Sequence, residues 1–243
     1  MKALLLIDPQ NGFCPGGALA VDEGDTIMPL LNRLMAEGGF DVVVATQDWH
    51  PADHKSFAAN HPGENVYEMI DLNGIKQILW PAHCVQGTEG AQFHKDLDLS
   101  LIDHVVQKGT NPEIDSYSGF VENDGKTKTG LQALLEKLAA ERGEKPENIE
   151  VVVCGLALDY CVGFTAIDAA QLGYKVTVAL DATRAVNLNP GDDVAMIRKL
   201  VELKERGLAP VNVEVVTTQQ LIPAPRRDIE IISERSRQQG MQP

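Results

Sequence analysis

The sequence is poor in cysteine, with four in 243 residues, and no two of them form a Cys-x-x-Cys pair. A disulfide framework is therefore not expected. Basic residues are also few, because 21 Lys and Arg face 35 Asp and Glu and leave a net charge of −14. A surface this acidic repels phosphate backbones and anionic lipids. It argues against nucleic acid and membrane partners, but not against a small neutral ligand.

Long hydrophobic runs are absent as well, and no apolar stretch reaches the roughly 20 residues that a membrane-spanning helix needs. Residues 1–9 begin with a lysine and an apolar run, as a signal peptide does. The run is short, however, and Asp8 and Pro9 follow where a cleavage site would stand. We therefore expect this segment to be a first β-strand and the protein to be cytoplasmic.

What the sequence does contain is an alternation of apolar segments and segments with helical spacing. The apolar segments predict six buried strands, at residues 3–7, 42–46, 103–107, 151–154, 175–180 and 211–217. Apolar residues three and four apart predict helices at residues 26–37 and 130–142, before Gly173, and at 192–206. This alternation predicts one α/β domain over residues 1–222. We expect a three-layer, doubly wound fold with a six-stranded, mainly parallel sheet and helices on both faces. Residues 223–243 form a C-terminal extension of unknown role.

Reactive side chains follow several of the predicted strands. Asp8 follows the first, Asp48 and His50 the second, Lys108 the third, and Cys161 the turn after the fourth. The carboxyl ends of parallel strands share one edge of the sheet, where doubly wound folds bind their ligands. One charged residue at a strand end means little, because the chain is returning to water there. Several at one edge indicate a catalytic or binding site.

Cys161 lies where an apolar strand gives way, after Gly155, to helical spacing. The N–H groups and the dipole at a helix N-terminus favour a thiolate and can hold an oxyanion. A carboxylate can accept the thiol proton and an ammonium can stabilise the anion, so Asp8, Lys108 and Cys161 form a candidate nucleophilic set. Two alternatives stay open here: Cys161 as a small buried apolar residue, and Asp8–Lys108 as a structural ion pair.

A second set of side chains has the character of metal ligands. In an extended segment Asp48 and His50 point the same way, so they can bind one ion together. A third ligand from a distant loop would give two imidazoles and a carboxylate, a set that suits Zn²⁺, Fe²⁺ or Mn²⁺. The candidates for this third position are His54, His61, His83 and His94.

Aromatic residues make up only 5% of the chain, yet several lie in or beside the same loops. These are Phe13, Trp80, Tyr117 and Tyr160. Their concentration indicates a flat hydrophobic pocket, although ordinary loop packing explains each of them singly.

Six motifs together resemble a known family. They are Leu-Leu-Ile-Asp-Pro-Gln-Asn-Gly-Phe up to Phe13, Thr-Gln-Asp-Trp-His-Pro around Asp48, Trp-Pro-Ala-His-Cys-Val-Gln-Gly-Thr from Trp80, Lys-Gly at Lys108, Asp-Ser-Tyr-Ser-Gly-Phe from Asp115, and Gly-Leu-Ala-Leu-Asp-Tyr-Cys-Val around Cys161. In content and order they are similar to the isochorismatase-like cysteine hydrolases, and within that family to the members that hydrolyse nicotinamide. The resemblance extends to about residue 217.

The resemblance implies roles for particular residues. It implies a catalytic triad of Asp8, Lys108 and Cys161, and metal ligands at Asp48, His50 and His83. It also implies an oxyanion hole made by the backbone N–H groups of Ala157 and Cys161, with a cis peptide between Leu156 and Ala157. Phe13, Trp80 and Tyr117 would contact the substrate. Some members have a fourth histidine ligand where Ser56 stands, so we expect water near Ser56 to complete the metal shell.

The activity implied by the resemblance is hydrolysis of nicotinamide, and also of pyrazinamide, through a Cys161 thioester in NAD salvage. The expected cofactor is one divalent ion, Zn²⁺ before Fe²⁺ or Mn²⁺, and the expected partners are the small substrate and other copies of the chain. Three alternatives remain open. They are a metallohydrolase in which metal-bound hydroxide attacks directly, a non-catalytic binding protein, and a family member acting on another amide or ureido substrate.

Overall fold

The computed structural model describes residues 1–205 and 213–222. Its strands are β1 (Lys2–Ile7), β2 (Val42–Asp48), β3 (Met69–Leu72), β4 (Ile75–Ile78), β5 (His104–Lys108), β6 (Glu150–Leu156), β7 (Lys175–Arg184) and β8 (Val213–Val216). Its helices are α1 (Met28–Glu37), α2 (Leu131–Glu141), α3 (Gly163–Gln171), α4 (Asp192–Glu205) and α5 (Thr218–Leu221). Within this described part, no helix has both the length and the apolar character needed to cross a membrane.

Six strands form one parallel sheet in the order β5-β2-β1-β6-β7-β8. Alternate residues of the central strand β1 face opposite sides of it. Leu5 and Ile7 pack in a core with α2, α3 and α4. Leu4 and Leu6 pack in a second core with α1 and Ile222. Both faces of the sheet are covered, so the central strands β1, β2 and β6 are buried along almost their whole length. The predicted three-layer, doubly wound architecture is confirmed.

The six predicted strands all occur, with shifted ends. The fifth runs on to Arg184, and the sixth is described only from Val213. The antiparallel hairpin of β3 and β4 was not predicted. Its exposed residues lack a buried strand's apolar pattern, although Asn73-Gly74 between the two strands is a typical hairpin turn. The predicted extension at 223–243 lies outside the described residues, so its role and the domain boundary stay predictions.

Parallel pairing brings the reactive residues to one edge of the sheet. Asp48 pairs with Lys108 at the ends of β2 and β5, and Ile7 pairs with Gly155 where β1 and β6 finish. Asp8 follows Ile7 directly, so carboxylates and a lysine from three adjacent strands meet at this edge. This is where the topology reverses direction and where doubly wound folds leave a crevice.

Gly155 allows the close approach of β6 to β1 at this edge. Its φ is +114°, and a Cβ atom built on it would lie 2.1 Å from the backbone oxygen of Ile7. The pairing of β6 with β7 also shifts register between Val153 and Gly155. A side chain here meets backbone rather than a movable side chain, so only glycine fits.

Replacing Gly155 with alanine is expected to lower the free energy of unfolding by about 3 kcal/mol or more, from the unfavourable φ and the contact with Ile7. Urea unfolding of the metal-loaded proteins measures this change. Gly173→Ala is the matched control, because Gly173 has φ +86° and no atom lies within 4 Å of the place that a Cβ atom would take. That control should lose only about 1 kcal/mol. Equal losses in the two variants would contradict the role given to the Ile7 contact.

Candidate active site

Asp8 is the first residue after β1 and has a left-handed backbone, with φ +46°. The Thr46 hydroxyl on the neighbouring strand donates a hydrogen bond of 2.7 Å to Asp8 Oδ1 and accepts one of 3.1 Å from the Asp8 N–H. The carboxylate is fully buried. A polar residue in this uncommon conformation, held by two hydrogen bonds, is typical of a functional position.

Lys108 connects the groups at this edge of the sheet. Its buried Nζ lies 2.9 Å from Asp8 Oδ2 and 3.5 Å from Cys161 Sγ, and it also forms an ion pair with Asp48 Oδ1. It donates a further hydrogen bond of 2.7 Å to the Ser116 carbonyl oxygen. Burial alone would lower the pKa of Lys108, but Asp48 and Asp8 outweigh it and hold the pKa well above its ordinary value. The side chain is therefore a permanent ammonium.

Cys161 lies in a π-helical turn, Leu158–Val162, that leads into α3. Its side chain is almost completely buried. Burial raises the pKa of the thiol well above its ordinary value, and the opposing effect of Lys108 does not cancel it, because Asp8 and Asp48 add negative charge nearby. Burial thus works against the thiolate that the helix N-terminus is expected to favour. The nucleophile needs a base.

Asp8 has the properties of that base. Burial raises its pKa to about 6, against the opposing effects of Lys108 and Thr46. At neutral pH the carboxylate is ionised, yet it is more basic than an exposed aspartate. The ligand atoms of Asp8, Asp48 and Cys161 all lie within 4.8 Å of one another, so proton transfer from the thiol needs no large movement.

The segment before Cys161 has the backbone that the resemblance implies. The peptide between Leu156 and Ala157 is cis. The carbonyl of Ala157 accepts hydrogen bonds from the N–H groups of Tyr160 (3.1 Å) and Val162 (3.0 Å), which closes the turn. Ala157 and Cys161 both line the same pocket. Their function as an oxyanion hole stays a prediction.

Asp48, His50 and His83 converge a short distance away. Asp48 Oδ2 lies 3.5 Å from His50 Nε2 and 3.8 Å from His83 Nε2. The Nδ1 atom of each imidazole is 2.8 Å from a backbone carbonyl oxygen, that of Gly109 for His50 and that of Pro81 for His83. With each Nδ1 donating to its carbonyl, both Nε2 atoms face the aspartate and can bind a cation in place of a proton.

This arrangement fits a divalent cation. His50 Nε2 is buried and has no hydrogen-bond partner, and all three ligand atoms lie within 4.8 Å of one another. Burial would raise the pKa of Asp48, but Lys108 and the two histidines hold it well below its usual range, so the group is a carboxylate. Two imidazoles and a carboxylate are a donor set that suits Zn²⁺, Fe²⁺ or Mn²⁺.

The other candidate histidines have different contacts. The ring of His54 packs 4.4 Å from that of His50, with Nδ1 2.7 Å from Ser56 Oγ and Nε2 3.3 Å from the Ile114 carbonyl. His61 Nε2 lies 2.7 Å from the Lys55 carbonyl. His94 Nδ1 lies 3.8 Å from Asp96 Oδ2. Of the four candidates, His83 is the one that lies in one group with Asp48 and His50. The Ser56 hydroxyl contacts His54, and its predicted place beside a metal-bound water stays a prediction.

A small pocket adjoins both sets, and Cys161, Asp48 and His83 all line it. All three predicted substrate contacts line it: Phe13, Trp80 and Tyr117. Trp80 packs edge-on against Tyr160 with ring centroids 4.9 Å apart, and its Nε1 donates to the Tyr117 hydroxyl at 3.2 Å. The aromatic residues therefore pack edge to face along one side of the pocket.

Sequence reasoning missed four further lining residues, Leu19, Asp115, Ser116 and Val186. Asp115 and Ser116 begin one of the motifs, which could have drawn attention to them. The Asp115 oxygens accept hydrogen bonds from the Ser116 N–H (2.8 Å) and Gln77 Nε2 (2.7 Å). Leu19 and Val186 are aliphatic residues of distant loops, and no sequence signal distinguishes them from ordinary core residues.

Gly109 supports the His50 imidazole at very short range. It has φ +62°, and a Cβ atom there would lie 2.3 Å from His50 Cε1 and 2.6 Å from Nδ1. Gly109→Ala is expected to displace the ring and lower the affinity for zinc by about 10- to 100-fold. Competition with a chromogenic chelator measures the affinity. Gly125→Ala should bind zinc like the wild type, because Gly125 has φ +69° and open space where a Cβ atom would lie. Equal affinities in the two variants would contradict this expectation.

The fold and the site define a class of α/β proteins with an Asp–Lys–Cys cluster beside a divalent-cation site. Residues 2–220 match the sequence model of the Isochorismatase domain, and the chain belongs to that family.

Particular relatives narrow the comparison. The nicotinamidase of Escherichia coli (strain K12) is 49% identical over 193 residues, which is 79% of this chain and 86% of the relative. The structure of a nicotinamidase and pyrazinamidase from Acinetobacter baumanii has 42% identity and a TM-score of 0.78, and covers 91% of this chain and 98% of its own. A pyrazinamidase from Pyrococcus horikoshii in complex with zinc has 34% identity and a TM-score of 0.63, over 89% and 98% of the two chains.

Proposed function

We propose that this chain is a nicotinamidase, which hydrolyses nicotinamide to nicotinate and ammonia and also accepts pyrazinamide. The observation that carries the proposal is the buried contact of Lys108 with Asp8 and with Cys161, whose side chain lines a pocket walled by aromatic residues. The identity of nearly one half to the Escherichia coli nicotinamidase supports the choice of substrate. The acidic surface is compatible with it, because nicotinamide is neutral.

The first half of the reaction forms a thioester. The Asp8 carboxylate takes the Cys161 proton as Sγ attacks the amide carbon, and the backbone N–H groups of Ala157 and Cys161 hold the oxyanion. When the carbon–nitrogen bond breaks, Asp8 returns the proton to the departing nitrogen, and ammonia leaves. The Lys108 ammonium offsets the negative charge that passes between the thiolate and the carboxylate.

The second half restores the enzyme. The oxygen of a water molecule attacks the thioester carbon while Asp8 accepts a proton from that water. The carbon–sulfur bond then breaks, and nicotinate is released. The proton then returns to the sulfur of Cys161. Asp8 therefore acts twice as a base and twice as an acid, which suits a carboxyl with a pKa of about 6.

Asp48, His50 and His83 would hold the cation, and we propose zinc. When bound, it supplies a Lewis acid for the pyridine nitrogen of the substrate. Phe13, Trp80 and Tyr117 enclose the ring, and His83 lies with Phe13 at the same wall, with ring centroids 5.4 Å apart. The chain's own residues thus orient the amide toward Cys161.

Ammonia release from a panel of amides tests the proposal. The zinc-, iron- or manganese-loaded protein is given nicotinamide, pyrazinamide, benzamide and an N-carbamoyl amino acid. We expect turnover of the first two and little of benzamide, which has the same size but no ring nitrogen. Preference for the N-carbamoyl compound would instead indicate the alternative substrate class, and no turnover of any would indicate a binding protein.

The proposed biological role is salvage of nicotinamide for NAD synthesis. Location in the cytoplasm and association into homo-oligomers stay predictions of the sequence analysis. Cell fractionation and analytical ultracentrifugation test them.

A further inference from the structure

Asp159 is a buried carboxyl group two residues before Cys161, with 7% of its surface exposed. Its two oxygens accept hydrogen bonds from consecutive backbone N–H groups of a distant loop. Oδ1 accepts from Val186 at 2.9 Å, and Oδ2 accepts from Asn187 at 2.7 Å. The turn that carries the nucleophile is therefore tied directly to the loop that follows β7.

That loop is also fixed from its other side. Asn187 has a left-handed backbone, with φ +51°, and its side-chain oxygen accepts a hydrogen bond of 3.0 Å from the Asp193 N–H in the first turn of α4. The loop is thus hydrogen-bonded to the Cys161 turn on one side and to α4 on the other. Its conformation depends on the Asp159 carboxylate, because only an acceptor at both oxygens satisfies the two adjacent N–H groups.

The loop contributes to the pocket through Val186. This side chain lines the cavity together with Ala157, Tyr160 and Cys161. Asp159 itself does not line the cavity, but it is hydrogen-bonded to the backbone of Val186, which does. A change in the loop alters the space beside the substrate without touching Asp8, Lys108 or the metal ligands.

We propose that Asp159 is a positioning residue, which sets the distance between the Val186 wall and the Cys161 turn and so determines how tightly the substrate ring is held. This inference rests on the proposed function for its substrate. Its chemical role ends with the two hydrogen bonds, and it takes no part in proton transfer. Loss of one bond lets the loop move outward, so substrate binding weakens while the reacting groups stay in place.

The test compares Asp159→Asn with Asp192→Asn in the zinc-loaded enzyme. Both changes remove one negative charge from the same region. Asp192 Oδ2 accepts a bond of 2.9 Å from the Asn189 N–H farther along the loop, and Asp192 does not line the cavity. For Asp159→Asn we expect the KM for nicotinamide to rise about tenfold with kcat within about threefold, since one acceptor becomes a donor. Asp192→Asn should match the wild type.

A double-mutant cycle with Val186→Ala tests whether Asp159 affects the KM through Val186. If Asp159 acts through Val186, the double variant should have nearly the same KM as Val186→Ala alone. Additive effects on KM would overturn the proposal, as would a fall in kcat at unchanged KM. Asp159→Glu, which keeps both acceptors, should recover part of the affinity. If neither Asp159 variant folds, the residue is structural and the proposal fails.

Hydrogen exchange separates this inference from the proposed function. The amides of Val186 and Asn187 should exchange faster in Asp159→Asn than in the wild type, whatever the substrate is. Unchanged exchange would contradict the role of Asp159 even in an active nicotinamidase. Faster exchange in a protein whose wild type does not hydrolyse nicotinamide would contradict only the proposed function.

Discussion

Cys161→Ala is expected to lower kcat/KM for nicotinamide by about 10⁴-fold or more, which is about 5 kcal/mol of transition-state stabilisation. The thioester cannot form without the sulfur, and no other described cysteine lines the cavity. The fold and the zinc content should not change, because Sγ contacts Lys108 and is not part of the Asp48–His50–His83 set. Steady-state kinetics, metal analysis and the unfolding midpoint measure the three quantities.

Cys154→Ala is the matched control for this experiment. Cys154 is also fully buried, and it lies on β6 with its sulfur 3.7 Å from the Leu5 carbonyl oxygen, away from the pocket. Its activity should remain within about threefold of the wild type. If Cys161→Ala retained more than a few per cent of the activity, direct attack by a metal-bound hydroxide would be the better mechanism, with Cys161 structural.

Asp8→Asn is expected to lower kcat by about 10³-fold or more, because the amide cannot accept the thiol proton. The same change should make the resting thiol more acidic. Asp8 raises the pKa of Cys161, after burial itself, through its charge and its hydrogen bond, whereas Lys108 lowers that pKa. Removing the carboxylate leaves the effect of Lys108 less opposed. The variant should therefore be a poorer catalyst with a more easily ionised cysteine.

The pH dependence of two rates checks this separation. In the wild type kcat/KM should fall below pH 6, because Asp8 has a pKa of about 6 and only its ionised form is a base. This fall in kcat/KM toward low pH, the acid limb of the profile, should be absent in Asp8→Asn. Alkylation of Cys161 by iodoacetamide, located by peptide mapping, should reach half of its limiting rate at a lower pH in the variant. A midpoint that stays the same or rises would show that Asp8 helps to form the thiolate at rest.

Thr46→Val serves as the conservative comparison for Asp8. It removes the hydroxyl that bonds to Asp8 Oδ1 at 2.7 Å and leaves the carboxylate in place. That bond lowers the pKa of Asp8, so its loss should move the acid limb of kcat/KM to higher pH. The proton acceptor is kept, and kcat above the limb should fall much less than in Asp8→Asn.

Much of the molecule follows from local patterns in the sequence. The apolar segments identified the six strands, and their alternation with amphipathic helices implied a parallel sheet covered on both faces. The rule that such sheets bind ligands beyond their carboxyl ends then placed Asp8, Asp48, Lys108 and Cys161 together. These inferences succeed because strand burial and helix amphipathicity are properties of short segments. The hairpin of β3 and β4 was not predicted from the sequence, because its residues are half-exposed and carry no such pattern.

Other features depend on contacts between distant segments. His83 rather than His54 lies in one group with Asp48 and His50, because the packing of the long loop after β2 leaves the His54 nitrogens in contact with Ser56 and Ile114. Burial also reverses the expected ionisation of Cys161, a desolvation effect that sequence spacing cannot reveal. The contact of Lys108 with Asp48 joins the thiol and the metal set, which the sequence had treated as separate.

The order of residues along the chain was enough to identify the kinds of reactive group, the strands that they follow and the family. Only the packing in three dimensions decides which side chains share one hydrogen-bonded network, which imidazole lies at the candidate cation site and which loop lines the pocket. Patterns of residue type and spacing predict structure only over short stretches of the chain. Desolvation and ion pairing arise only when segments far apart in sequence are packed together. The same is true of the hydrogen bonds that the buried Asp159 carboxylate accepts from Val186 and Asn187.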